Sequence, residues 1–201
     1  ADGTNAYTSF DVTCYIEDIP SNQLENWAKI QADRFKHNVI RGFHTELETV
    51  YEEKNMSLTR DSRKLTEAMF SALFTHHPYG TQTVLGTQEH LKNPSITNIK
   101  NYYKKWYVPN NMAICMSGDF DFDEAMDIIE KYFGDMQPNP ELQMMSFEPE
   151  AEITEPIVRE VWGLESERVA LAWRFPGAAS DEALMLSVIS SSMSNGQEYL
   201  S

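Results

Sequence analysis

The chain has 201 residues, room for one domain or two small ones, and 41% of them are hydrophobic, the share of a globular protein rather than a disordered one. Its 16 Lys and Arg stand against 31 Asp and Glu, for a formal net charge of −15 with no basic stripe, which excludes nucleic acid and anionic membrane surfaces as expected partners. No run of about 18 apolar residues occurs, so no membrane span is expected in this stretch, and two cysteines, Cys14 and Cys115, are too few for a disulfide scaffold.

The opening residues carry neither an initiator Met nor a signal-peptide pattern, and the chain reads as cut from something longer. From Ala6 to Ile16 the residues alternate, with Ala6, Thr8, Phe10, Val12, Cys14 and Ile16 on one side, which predicts a half-buried strand. Pro20 breaks it, and Ser21 is placed to cap a helix whose stripe is Leu24, Trp27, Ile30 and Phe35. A longer helix is expected from Phe43 to Leu73, interrupted near Asn55, with Arg60, Arg63 and Lys64 on its solvated parts.

The Pro- and Gly-punctuated run from His76 to His90 reads as an ordered loop. Pro94 and Ser95 start a further helix with Ile96, Ile99, Tyr103 and Trp106 as its buried stripe, ended by Pro109, and Trp27, Tyr102, Tyr103 and Trp106 are assigned to the core. Asn111 to Gly118 has the composition of a buried strand, and Asp121 with Glu124 forms a capping pair for a helix ending at Gly134. Met136 to Pro156 is rich in Pro, Glu and Met and has no periodicity. Beyond it, Val158 to Gly163 and Arg168 to Gly177 read as strands, and Asp181 to Met193 as a helix running into the last residues. The class is α+β. The expected division is residues 1–137 as the C-terminal part of one domain, 138–157 as a linker, and 158–201 as the incomplete start of a second.

Chemistry concentrates in Phe43 to Asn55, which holds four glutamates on a predicted helix. At about 100° per residue, setting Glu46 at zero puts Val50 near 40°, Phe43 near 60° and Glu53 near 340°, while Glu48 and Glu52 fall near 200° and 240°. Glu46 and Glu53 therefore border the apolar stripe and the other two face water. A carboxylate beside a core is costly unless it is paired, hydrogen-bonded or metal-bound. From the wheel alone, a site and a pair of ordinary helix glutamates with Lys or Arg partners both stay open.

Four spaced blocks then add a resemblance. GTNAYTSFDVTCY, LETVYEEKN, HPYGTQTVLGTQEHLKNPS and YYKKWYVPNNMAICMSGDFD resemble, in the same order, blocks of the pitrilysin/insulinase zinc metallopeptidases, which include the mitochondrial processing peptidases. Together they cover most of Ala1 to Gly134; Arg168 to Gly177 is a weaker match to the next homologous domain. The resemblance implies a metallohydrolase fold of mixed sheet and packed helices, truncated here at both ends. It implies one zinc ion, held by two histidines of an HxxEH motif and by a glutamate on a following helix, that activates a water against a peptide bond. Glu53 matches that glutamate ligand. Glu46 matches the acidic residue one helical repeat earlier that orients the site. Asn5, Ala6, Tyr7 and Thr8 match the edge strand to which an extended peptide substrate adds.

HxxEH itself is absent. GTQEH imitates its second half, but Gly86 stands where a histidine is needed. The family spacing places the motif, with its general-base glutamate, roughly twenty-odd residues before Ala1. No catalytic residue is therefore expected in this chain, which alone should be inactive with zinc absent or weakly held. The parent is expected to be a zinc metalloendopeptidase acting on peptides, with a homodimer or a second homologous half as partner. The alternative is a non-catalytic structural or substrate-binding homologue. An acidic module for a basic partner is a third reading, and the compartment, periplasmic or cytoplasmic, is left open.

Overall fold

In the computed structural model, which describes residues 3–194, the chain opens with an antiparallel hairpin of β1 (Gly3–Thr8) and β2 (Thr13–Asp18). Eight helices follow: α1 (Leu24–Lys36), α2 (Phe43–Leu58), α3 (Asp61–Leu73), α4 (Pro78–Thr81), α5 (Gln88–Lys92), α6 (Ile96–Trp106), α7 (Phe122–Phe133) and α8 (Asp181–Ser194). The class is α+β, with a two-stranded sheet among the described residues. The chain groups into two units, one of Ala1–Thr59 with Gln82–Pro149 and one of Arg60–Thr81 with Glu150–Ser201.

The single strand expected over Ala6 to Ile16 is instead this hairpin. Thr8 faces Thr13 across a four-residue turn closed by the Ser9 N–H to the Val12 carbonyl (2.8 Å). Because Ala6 pairs with Tyr15 and Tyr7 with Cys14, even-numbered residues of β1 share a face with odd-numbered residues of β2. The alternation continues through the turn, but the faces it labels change over there. Cys14 is half-buried and Cys115 exposed, and both are free thiols.

In the first unit α1 packs on α7. The buried positions of α1 are Leu24, Ala28, Gln31 and Ala32, and that of α7 is Ala125. Alanine is what allows two backbones to approach, so the expected stripe of Trp27, Ile30 and Phe35 is corrected: Trp27 and Phe35 are half-buried and Ile30 is 64% exposed. Lys131 Nζ (2.5 Å) and Tyr132 hydroxyl (3.0 Å) both donate to Glu25 Oε1, holding that carboxyl below its ordinary range. Tyr15, Phe35, Tyr103 and Tyr107 form a second cluster: Tyr103 stacks on Tyr107 with ring centres 4.2 Å apart, Tyr15 meets Phe35 edge-on at 5.3 Å, and the Arg34 guanidinium lies 4.5 Å above Tyr15. Burial, with the hydroxyl contact to Tyr107, pushes the Tyr15 phenol up.

Local signals place the helix starts well. Ser95 Oγ accepts the Asn98 N–H (3.2 Å) at the start of α6, and Asp121 Oδ1 accepts the Glu124 N–H (3.0 Å) at the start of α7. Ser21, by contrast, caps nothing and begins a short 3-10 turn. The expected break near Asn55 falls at Thr59 and Arg60, where the Thr59 N–H and hydroxyl both turn back to the Met56 carbonyl. On α6 only Tyr103 and Trp106 are half-buried; Ile96, Ile99 and Tyr102 are exposed, so the expected stripe is narrower and Tyr102 is not core.

Within the second unit α3 packs on α4, and the segment from Glu150 onward is fastened to α3 by polar groups. Asp61 accepts the Glu165 N–H (2.7 Å), Lys64 donates to the Trp162 carbonyl (3.3 Å), and Arg174 donates to the carbonyls of Leu73 and Ala151. Arg63 and Lys64 are half-buried and paired, with Glu67 and Asp61 respectively, rather than solvated. A side-chain carbon on Gly163 would fall about 2 Å from the Asp61 carboxylate, so any other residue there would have to displace that carboxylate from the Glu165 N–H and Lys64. The three runs expected as strands, Asn111 to Gly118, Val158 to Gly163 and Arg168 to Gly177, form no ladder among the described residues and stand largely exposed, Trp162 at 87% and Val169 at 90%. Their composition suits a sheet, but a strand exists only where a neighbour supplies the opposite hydrogen bonds. The expected run of α8 into residues 195–201 lies outside the described residues.

Glu150 ties the loop after α3 most tightly. Its Oε1 accepts the N–H groups of His76 (2.7 Å) and His77 (2.8 Å), and its Oε2 accepts the Thr75 hydroxyl (2.9 Å). The backbone bonds from His77 and His76 lead the causes that pull its pKa from the ordinary 4.5 down to about 2. A carboxylate depressed on folding stabilises above its unfolded value, and that contribution fades as pH falls through the folded one. The amide resonances of His76 and His77 should therefore hold steady down through the ordinary carboxylate range and titrate with a midpoint near 2. Glu150→Gln should remove that titration, and a midpoint near 4.5 in the unaltered chain would contradict the bonding described.

Candidate functional site

Helix α2 begins after Gly42, whose φ of +62° turns the chain in without a capping side chain. Glu46, Glu48, Glu52 and Glu53 are all exposed, which corrects the expectation that Glu46 and Glu53 border a core. Phe43, Leu47, Val50 and Tyr51 are only half-buried, and the one buried residue of α2 is Lys54, 5% exposed. Glu46 and Glu53 do lie about 20° apart around the helix, two turns from each other, so they share one open face.

Lys54 Nζ donates to Thr83 Oγ1 (3.4 Å), and the Gln88 side-chain amide donates to Asn55 Oδ1 (2.7 Å), so α2 is fastened to the turn before α5 and to α5 itself. Sequence reasoning missed both contacts. The signal for Lys54 was present: the same wheel puts it near 80°, beside Val50 and Phe43 in the stripe assigned to the interior.

Asn5, Ala6, Tyr7 and Thr8 lie on β1, all exposed. Among the described residues β1 pairs only with β2, leaving its outer edge without a neighbour. The Asn5 side-chain oxygen accepts the Ala6 N–H (2.8 Å), so one main-chain donor there already has a partner.

The histidines have structural work. His90 closes a capping box, its N–H donating to Thr87 Oγ1 (3.2 Å) and its Nδ1 accepting the Thr87 N–H (3.4 Å). GTQEH is thus the start of α5 and not only loop. His37, just past the end of α1, has its Nδ1 2.8 Å from Asp33 in that helix's last turn, and the His44 ring meets Phe43 edge-on. Among the described residues no three His, Cys, Asp or Glu side chains converge to hold a metal ion. Zinc in proteins takes at least three such donors. The described residues, with Glu53 as a lone matching carboxylate, do not by themselves fit it.

A family model described as the peptidase M16 inactive domain matches residues 95–199, just over half of the chain. An uncharacterized zinc protease of Mycobacterium leprae is 27% identical over 132 residues, which cover 65% of this chain and 29% of that protein. The ubiquinol-cytochrome-c reductase complex core protein I of Euglena gracilis is 30% identical over 143 residues, 68% of this chain and 28% of that protein. The chain thus spans less than a third of the length of either. The crystal structure of a protease from Helicobacter pylori shares its fold, with a TM-score of 0.64 at 22% identity over 72% of this chain and 35% of that one. None of the described helices is long and apolar enough to cross a membrane.

The donor set leads to a direct check. Calorimetric titration of this chain alone with zinc should show only the weak, unsaturated binding of exposed carboxylates, and a saturable one-to-one site would contradict it.

Proposed function

Because the chain belongs to the peptidase M16 family, we propose that the whole protein containing it is a zinc metalloendopeptidase that hydrolyses extended peptides, with Glu53 as a metal ligand and Glu46 holding the site in order. What supports this reading is the shared open face of α2, which turns both carboxylates away from the anchored side of the helix toward whatever completes the site. No HxxEH occurs in the 201 residues, so the imidazole donors and the general base come from elsewhere in the whole protein, and this chain by itself is inactive. Asn5 to Thr8, on a strand that pairs on one side only among the described residues, would take an extended peptide as an added strand through main-chain bonds, which tolerates many side chains. A second homologous half or a second copy would supply the rest of the binding surface.

One observation favours a second reading. That observation is the matching family model, which is that of an inactive domain; a ubiquinol-cytochrome-c reductase complex core protein among the relatives agrees with it. In that reading the whole protein keeps the fold as a structural or substrate-binding subunit without chemistry.

The two separate in one experiment on the full-length protein. The peptidase should retain about one zinc per chain and cleave a quenched peptide; Glu53→Gln should lose most of both, and Glu46→Gln should lose about 10–100-fold in zinc affinity or activity. Equal zinc and equal cleavage in Glu53→Gln would remove that residue from the role. A full-length protein that neither holds zinc nor cleaves would establish the subunit reading.

A further inference from the structure

Lys54 is buried, and the proposed function makes no use of it. A buried ammonium is costly unless it is hydrogen-bonded or paired, so its place in α2 calls for a return that an apolar side chain would not give. Direction is that return. Apolar burial is roughly proportional to area and has no preferred angle, and on α2 it is slight: the apolar residues of the first three turns are half-buried, and Met56 is 60% exposed. Hydrophobic contact alone would leave the helix loosely held about its own axis.

Two adjacent polar contacts do hold it. Thr83 Oγ1, which accepts from Lys54, donates in turn to the Gly86 carbonyl (3.0 Å), and the Gly86 N–H returns to the Thr83 carbonyl (2.9 Å) at a glycine with φ of +72°. The acceptor is therefore fixed within a closed turn. Asn55 adds its bond with Gln88 one residue further on. The direction midway between Lys54 and Asn55 lies about 150° around the helix from Glu53 and about 130° from Glu46, at 100° per residue.

We infer that Lys54 is the positioning residue of α2: its bond to the Thr83–Gly86 turn, seconded by Asn55, sets the rotation of the helix so that Glu46 and Glu53 share its outward face. The rotation is a property of this chain; its catalytic consequence rests on the proposed role of Glu53.

The test uses the full-length protein, first stripped of metal and treated with a carbodiimide and an amine to label exposed carboxylates. Lys54→Met keeps volume and removes the directed bond; it should change the ratio of Glu53 to Glu52 labelling at least about twofold with the far-UV spectrum unchanged, and Lys54→Arg should restore the ratio. With metal returned, Lys54→Met should lower kcat about tenfold or more at constant KM. Unchanged labelling and kcat in Lys54→Met would overturn the inference, as would a rise in KM alone. Should Lys54→Met fail to fold, Thr83→Val removes the acceptor at similar size and must shift the labelling ratio in the same way; an unshifted ratio overturns the inference. If Glu53→Gln keeps its zinc and activity, the peptidase role of Glu53 fails, while the labelling ratio still decides the positioning role of Lys54.

Discussion

The first unit is organised by how little apolar surface it buries. Leu24, Ala28, Ala32 and Ala125 are the buried hydrophobic residues among those described, and three of the four are alanines at the meeting of α1 and α7. So small a seam brings backbones close but exerts little leverage on the elements around it. Orientation elsewhere passes to groups with directional bonding: Glu25 with Lys131 and Tyr132 across the two helices, the Tyr15 phenol beneath Arg34 and bonded to the Tyr107 hydroxyl, and Lys54 and Asn55 on α2. Polar contacts in such settings specify one arrangement rather than add much stability.

That division explains what could be read in advance. Helix starts at Ser95 and Asp121 were legible because a capping oxygen acts on an N–H three residues away, and both partners are in the local sequence. The limits of the long helical stretch at Phe43 and Leu73 were legible too, although no side chain caps either one. The hairpin was not, since Ser9 to Val12 contains no glycine or Asn-Gly signal and the period-two alternation runs straight through it. Nor did the strand-like composition of Arg168 to Gly177 reveal that the described residues offer it no ladder.

The candidate site divides in the same way. That Glu46 and Glu53 share a face follows from seven residues of helix, and the sequence carried it. Which way that face turns depends on Thr83, 29 residues from Lys54, and no local pattern encodes such a contact. The wheel took Phe43 and Val50 as the inward side, but the buried member of that side is the lysine. Similarly, the partial likeness of GTQEH to a metal motif dissolves once the His90 ring is seen bonded to the Thr87 main chain.

The placement of the four tryptophans gives the molecule an uneven optical character. Trp27 lies half-buried with Phe133 6.4 Å away, and Trp106 is half-buried under the Lys105 ammonium, both in the first unit. Trp162 and Trp173, in the second, are bathed in solvent at 87% and 70% exposure. Melting the second unit changes little around its indoles, so the intrinsic emission of this chain follows the alanine seam and the aromatic cluster and is nearly blind to the segment fastened along α3.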